Sequence, residues 1–300
     1  MIIHEVGLRD GLQMESAIVH TDKKFEWIRK IIYSGIKHIQ VGSFVNPSKV
    51  PQMADTGQIF DLIHATRKTD LKFQDVIFSC LILNERGFDS AIEHNADMIC
   101  TGVSASETHC LKNSGKSIKD ALEAVLDIIE MSKFQETIIQ VSVQSVFGCG
   151  FEGSIDEKII FKIVDSYLNA GVRKISLADT AGHASPTKVN QLYSKLNRMA
   201  PDIELACHFH NTYGLGIANC IAAMDAGVSS YETSFGGLGG CPFTKLSAGN
   251  VCTEDFIHFL FLNGMPVNYD LKLLCELSSE VSSYFNRELP GYVYKTGGII

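Results

Sequence analysis

The run Cys207-His208-Phe209-His210-Asn211 sets two histidines one residue apart, at the end of the largely apolar segment Ile203 to Ala206. On a strand, side chains alternate between faces, so His208 and His210 point the same way, ~7 Å apart along the chain. Two imidazoles at that spacing can converge on one metal ion. A carboxylate of the right kind stands near the other end of the sequence, in Arg9-Asp10-Gly11. One carboxylate oxygen and two imidazole nitrogens, with positions left for water or substrate, suit Mg²⁺, Mn²⁺, Co²⁺ or Zn²⁺. Taken alone, Asp10 before a glycine also reads as a turn aspartate. Arg9 is a cation able to steady a developing oxyanion; the alternative is an ion pair with Asp179 or Glu5. The loop Gly236-Gly237-Leu238-Gly239-Gly240-Cys241 offers exposed backbone N–H groups and mobility, with a thiol at its tip that could pass a proton. Asn250 reads, from spacing alone, as the N-cap of the helix that follows. Cys149, in Gly148-Cys149-Gly150, is a loop cysteine with no assigned role.

These residues must be positioned by a scaffold, and the pattern of the chain supplies one. Short β-rich runs cover Ile2–Val6, His38–Phe44, Val76–Leu83, Asp97–Ser104, Ile138–Phe147, Lys174–Thr180, Glu204–His210 and Ser229–Phe235. Amphipathic segments alternate with them at Thr21–Ser34, Thr56–Arg67, Glu85–Asn95, Ser117–Ser132, Asp156–Ala170, Ser185–Met199, Gly214–Ala226 and Thr253–Leu262. Many of the β runs are continuously apolar, as expected of a parallel sheet covered by helices. No Gly-x-Gly-x-x-Gly follows the first run to favour a doubly wound sheet. The expected fold is one (β/α)8 TIM barrel over about 1–265, followed by a helical segment over about 266–300 with Leu271 to Asn286 as extra helix, all in a single domain. The tail Tyr294 to Gly298 is expected to be mobile. Chemistry in such barrels sits at the carboxyl ends of the strands. Polar residues gather where the runs stop: Arg9 and Asp10, Gln40 to Ser43, Ser104 and Ser106, Asp179 and Thr180, His208 and His210.

Composition narrows the function class. The 300 residues carry a net charge of −8 with 45% hydrophobic and 20% charged residues, an ordinary globular balance. The acidity argues against a nucleic-acid or anionic-membrane surface as partner. No apolar run reaches the length of a membrane span, and the segment around Ile257 to Leu262 is far too short for one. Nine cysteines without a Cys-x-x-Cys pair do not form a disulfide framework or a zinc ribbon. With no secretory signature at Met1-Ile2-Ile3-His4-Glu5, the expectation is a reduced, cytoplasmic protein.

Longer motifs resemble a known family. Glu5-Val6-Gly7-Leu8-Arg9-Asp10-Gly11-Leu12-Gln13 is similar to the opening signature of the DRE-TIM metallolyases. Ser43-Phe44-Val45, Val50-Pro51-Gln52-Met53-Ala54-Asp55, Ser104-Ala105-Ser106-Glu107, Asp179-Thr180-Ala181-Gly182, His208-Phe209-His210-Asn211-Thr212-Tyr213-Gly214 and the glycine loop ending in Cys241-Pro242 follow in order. Within that superfamily the chain resembles the 3-hydroxy-3-methylglutaryl-CoA lyases, and the matches cover almost its whole length. The resemblance implies metal-dependent cleavage of a 3-hydroxy acyl-CoA, to acetyl-CoA and acetoacetate for the usual substrate. It implies a divalent ion, Mg²⁺ or Mn²⁺ before Zn²⁺ or Co²⁺, held by Asp10, His208, His210 and Asn250, which replaces the N-cap reading of Asn250. Arg9 then stabilises the thioester enolate, and Cys241 passes it a proton or is the partner in that proton relay. Gln13, Gln40, Ser106, Asp179, Gly239 and Gly240 fall at substrate-binding positions, and a homodimer or higher homo-oligomer is expected.

The chain also departs from that pattern. Gln40 stands where the lyases usually carry a glutamate, and a glutamine cannot exchange a proton or balance a cation. Ser142, Ser145, Gly150, Ser16 and Asn211 differ as well. The expectation is a lyase of the 3-hydroxy-3-methylglutaryl-CoA type. The rivals are a lyase or Claisen-type condensing enzyme for another acyl substrate, and a non-catalytic paralogue.

Overall fold

A computed structural model describes residues 1–240 and 248–299. Eight parallel strands close into a barrel in chain order: β1 (Ile2–Glu5), β2 (His38–Phe44), β3 (Ile77–Ile82), β4 (Met98–Ser104), β5 (Ile138–Gln144), β6 (Lys174–Asp179), β7 (Glu204–Phe209) and β8 (Ser230–Thr233). The ring is sealed where β1 lies parallel to β8, from Ile2 opposite Ser230 to Glu5 opposite Thr233. The strands are wrapped by α1 (Thr21–Tyr33), α2 (Thr56–Arg67), α3 (Glu85–Glu93), α4 (Glu107–Ser114), α5 (Ile118–Ser132), α6 (Glu157–Asn169), α7 (Pro186–Met199), α8 (Gly216–Asp225) and α9 (Thr253–Leu262). Two C-terminal helices follow, α10 (Leu271–Tyr284) and the one-turn α11 (Val293–Thr296). The (β/α)8 barrel with extra C-terminal helices is thus the fold. Among the described residues no helix is long and apolar enough to cross a membrane.

The apolar core lies between strands and helices. Ile39, Val41, Phe78, Ile99, Val141, Val143, Ile175, Leu177 and Leu205 are buried from the strands, and the helices meet them with residues at i, i+3 and i+4 spacing, such as Trp27, Ile28, Ile31 and Ile32 of α1. Each such side chain fully removed from water stabilises the fold by roughly 1.5–3 kcal/mol. α10 seals α1: Trp27 Nε1 donates to Glu280 at 3.1 Å, and the indole meets Tyr284 edge-on.

The inside of the barrel is different. Such barrels are usually filled by layers of branched apolar side chains, yet here His4 bonds Ser79 at 2.9 Å and Gln140 donates to Glu232 at 2.8 Å. Both bonds join strands that are not neighbours in the ring, so they cross the interior. All four residues are buried.

One boundary is corrected, one helix is added, and the C-terminal segment shows its own contacts. β1 stops at Glu5, and a π-helical turn over Gly7–Gly11 follows, in which the N–H groups of Arg9, Asp10 and Gly11 converge on the Val6 carbonyl. Gly7 is needed there, since a Cβ would lie 2.7 Å from both Glu5 Oε1 and the Phe235 ring. Helix α4 is not announced by apolar periodicity, because few of its side chains are buried; its ends are set by local capping. Ser106 Oγ accepts from His109 N at 3.1 Å, and Gly115 closes the helix at φ +75°. The segment leading into the tail is hydrogen-bonded to the barrel: the Asp255 carboxylate accepts from the N–H groups of Tyr292 and Val293, and Tyr294 Oη accepts from Leu289 N at 2.8 Å.

Candidate active site

The π-helical turn after β1 and the end of β7 face each other across the seam of the barrel. Asp10, His208 and His210, all buried, bring one potential ligand atom each within 4.8 Å of one another. His208 Nε2 and His210 Nε2 are 3.1 Å apart, and Asp10 Oδ2 lies 3.8 Å from the first and 3.7 Å from the second. Ligands ~2.1 Å from a small divalent ion are separated by about 3.0 Å across an octahedral edge and about 3.4 Å across a tetrahedral one. The observed triangle is therefore close to the size that such an ion needs.

Asn250 enters from the other side. It forms an antiparallel bridge with His210 and is not the cap of α9, whose N-cap is Cys252. Its Nδ2 donates to Asp10 Oδ2 at 2.8 Å and to the Leu238 carbonyl at 2.9 Å, while its Oδ1 is buried without a hydrogen-bond partner. A buried acceptor left unpaired is costly, and a cation would satisfy it. Gly239 leaves the necessary room: at φ +118°, a Cβ on it would sit 2.4 Å from Asn250 Nδ2 and 3.3 Å from Asp10 Oδ2. The donor set thus fits a divalent ion.

Arg9 lies beside the cluster, bonded through Nη1 to Asp10 Oδ1 and through Nε to Gln40 Oε1. It pairs with neither Asp179 nor Glu5. Gln13 Nε2 donates to the same Asp10 oxygen at 2.9 Å. Burial works to raise the Asp10 carboxyl, but the charge of Arg9, a bond from His210 and the two imidazoles outweigh it and hold the group well below the usual carboxylate range. Asp10 is thus a carboxylate at any working pH.

The other expected site residues divide. Asp179 is turned into its own βα loop, accepting from His183 N at 2.8 Å and Ala184 N at 3.0 Å; burial raises its carboxyl to about 6 against those bonds and the nearby histidines. Ser106 caps α4 and donates to Cys149 Sγ at 3.0 Å, which gives that thiol a buried partner. Gly240 ends the described part of the loop, and Cys241 lies outside the described residues.

The stem of the glycine loop is held by carboxylates. Glu5 Oε1 accepts from Gly7 N and Phe235 N, and Glu5 Oε2 from Thr253 Oγ1 at 2.6 Å. Glu254 accepts from Gly236 N at 3.0 Å, while Gly291 N reaches the Gly236 carbonyl at 2.9 Å. Both acids are fully buried, and among the described residues neither has a cationic partner. Burial pushes Glu5 up to about 8 and Glu254 up to about 7.

Sequence reasoning missed Glu232. Its Oε2 faces His208 Nδ1 at 3.0 Å. Burial would raise this carboxyl, but the bond from His208 and the charges of His208, His4 and Arg9 keep it at about 2. The signal was present: Glu232 is the one charged residue in the run Ser229–Phe235.

The chain is similar to known proteins over nearly its whole length. A hydroxymethylglutaryl-CoA lyase of Bacillus subtilis, YngG, is 31% identical, across 96% of this chain and 94% of the relative. An (R)-citramalyl-CoA lyase of Chloroflexus aurantiacus is 33% identical, across 99% and 95%. The solved structure of an HMG-CoA lyase from Acinetobacter baumannii in complex with coenzyme A and 3-methylmalate superposes with a TM-score of 0.91 at 36% identity, covering 99% of this chain and 95% of that one. The family model described as HMGL-like matches residues 1–281, and the chain belongs to the HMGL-like family.

Proposed function

We propose that this chain is a divalent-metal-dependent carbon–carbon lyase that splits a 3-hydroxy acyl-CoA, with 3-hydroxy-3-methylglutaryl-CoA cleaved to acetyl-CoA and acetoacetate. The observation that carries the reading is the convergence of Asp10, His208 and His210 beside Arg9, at the mouth of the barrel, in a chain of this family. Asp10, His208, His210 and Asn250 would hold the ion, Mg²⁺ or Mn²⁺ on this mixed oxygen and nitrogen set, with Zn²⁺ and Co²⁺ as alternatives. When bound, the ion supplies Lewis acidity to the substrate's 3-hydroxyl and carboxylate oxygens.

The protein's own groups do the rest. Gln40 and Asp10 fix Arg9 in place, so its guanidinium meets the oxygen of the thioester enolate, as the carbon–carbon bond breaks, without first reorganising. The 3-hydroxyl gives its proton to a base and becomes the ketone of the departing fragment, and the enolate carbon takes one proton to become the acetyl methyl, so the two transfers cancel. Gln40 is a neutral acceptor and takes no part in either transfer. Cys241, on the glycine loop, delivers the second proton. Ser106 and Asp179 act by holding the loops after β4 and β6 around the substrate, and Gly239 and Gly240 by leaving backbone close to it.

A second reading has specific support. The neutral Gln40 against Arg9 and the similarity to a citramalyl-CoA lyase favour a different 3-hydroxy acyl-CoA as the best substrate. The test is incubation of the purified protein and Mn²⁺ or Mg²⁺ with 3-hydroxy-3-methylglutaryl-CoA, citramalyl-CoA and related thioesters. Acetyl-CoA and acetoacetate release that disappears in Asp10→Ala and Cys241→Ala supports the first reading. Turnover of another thioester alone supports the second, and a Gln40→Glu variant then shifts the preference toward 3-hydroxy-3-methylglutaryl-CoA. Silence across the panel identifies a non-catalytic paralogue. Assembly as a homo-oligomer and a cytoplasmic setting belong to the same proposal and are read by sedimentation and by imaging of a tagged chain.

A further inference from the structure

The two histidines of the cluster are not equivalent. His208 Nε2 faces Asp10 and His210, while its Nδ1 faces Glu232 Oε2 at 3.0 Å. The other carboxylate oxygen, Oε1, accepts from Gln140 Nε2 at 2.8 Å, and Gln140 reaches it from β5, across the barrel interior. Glu232 and Gln140 are each 7% exposed. Both oxygens of the carboxylate are therefore used, and its position is set from two directions. Among the described residues no carboxylate contacts the Nδ1 of His210.

A carboxylate on one ring nitrogen keeps the hydrogen there and leaves the lone pair on the other. In His208 the hydrogen belongs on Nδ1, toward Glu232, and the lone pair on Nε2, toward the Asp10 cluster. The negative charge behind the ring also makes Nε2 a stronger donor. A bland alternative is that Glu232 and Gln140 merely fill the inside of the barrel. Apolar side chains would do that without burying a charge, and the contacts run specifically to His208.

We infer that Glu232, held in place by Gln140, is a positioning residue that fixes the tautomer and orientation of His208 and so sets the affinity of the Asp10–His208–His210 cluster for a divalent ion. This rests on the metal reading proposed above.

The test is Mn²⁺ binding to the metal-stripped protein, followed by the electron paramagnetic resonance of the free ion, together with the visible spectrum of the Co²⁺ form. Glu232→Gln keeps the volume and removes the charge, and it is expected to weaken Mn²⁺ binding by about 10- to 100-fold and to change the Co²⁺ bands. Glu232→Asp restores part of the affinity. Gln140→Met, which removes the bond to Glu232 and leaves every residue of the cluster in place, gives a smaller loss in the same direction and serves if Glu232→Gln does not fold. Unfolding temperatures in chelator separate loss of fold from loss of binding. Wild-type affinity and an unchanged Co²⁺ spectrum in the folded variants overturn the role of Glu232. A wild-type protein that binds no Mn²⁺ overturns the metal reading itself, and this inference with it.

Discussion

Glu254→Gln tests whether the stem of the glycine loop is built on a protonated acid. Glu254 is buried, accepts from Gly236 N, and is pushed by burial from 4.5 up to about 7. Around it stand Glu5 from β1, Cys252 and Asp255 beside it, and Ser278 from α10, and none of these brings a positive charge. Below pH 4.5 the acid is protonated in both folded and unfolded chains, and its ionisation leaves stability independent of pH. Between 4.5 and about 7 the unfolded chain releases the proton while the folded chain keeps it, so stability falls as pH rises. Above that range both forms are ionised and the fall ends. Each pKa unit is worth about 1.4 kcal/mol, so Glu254 alone removes on the order of 3 kcal/mol between pH 4.5 and 8. Glu5, raised to about 8, extends the decline. A glutamine keeps the acceptor for Gly236 N and cannot ionise. Urea unfolding from pH 5 to 8.5, in chelator so that metal linkage does not enter, should show a flatter profile for Glu254→Gln. The variant should be the more stable protein at pH 8.5. Profiles that run parallel across the whole range would refute a neutral stem.

Three further outcomes follow from the geometry. Gly239→Ala must give up φ +118° or push Asn250 aside by about an ångström; the backbone strain alone is about 1–3 kcal/mol, and calorimetry should find Mn²⁺ affinity reduced even where the fold survives. Arg9→Met removes the cation beside Asp10 and should lower kcat about 10²- to 10³-fold with a smaller change in KM, read by steady-state kinetics at saturating metal. Lys24→Met removes the cation from Asp55, which keeps the bond from Thr21 Oγ1; Lys24 is 1% exposed and its Nζ lies 2.6 Å from Asp55 Oδ1, so denaturant unfolding should show a loss of about 2–3 kcal/mol.

Much of this architecture is legible in the residues. Helices α2 and α9 and strand β2 lie where periodicity puts them, because long apolar faces dominate there. Asp10, His208 and His210 were visible because all three stand just beyond or at strand ends, the one place where a barrel gathers chemistry. Glu232 was not, since strand parity alone does not tell inward from outward and a carboxylate inside a barrel contradicts the usual filling. Asn250 misled for a related reason: an asparagine three residues before a helix reads as a cap, and only the closed barrel brings it to Asp10. Helix α4 and the C-terminal turn are held by single caps and carboxylate contacts, which leave little periodicity to read.

The seam between β1 and β8 has a consequence for how the protein is made. Asp10 and Asn250 are 240 residues apart in sequence and 2.8 Å apart in space, so no partial barrel contains the cluster. The strands that bring them together are only four residues each, and they pair last if the ring grows in chain order. Pairings of such long sequence separation are slow to form. An ion that binds the finished cluster and not the unfolded chain adds stability in proportion to the logarithm of its concentration over its Kd. The cofactor would therefore act as a clasp on ring closure, and chelation would loosen the two ends of the chain before it loosened anything else.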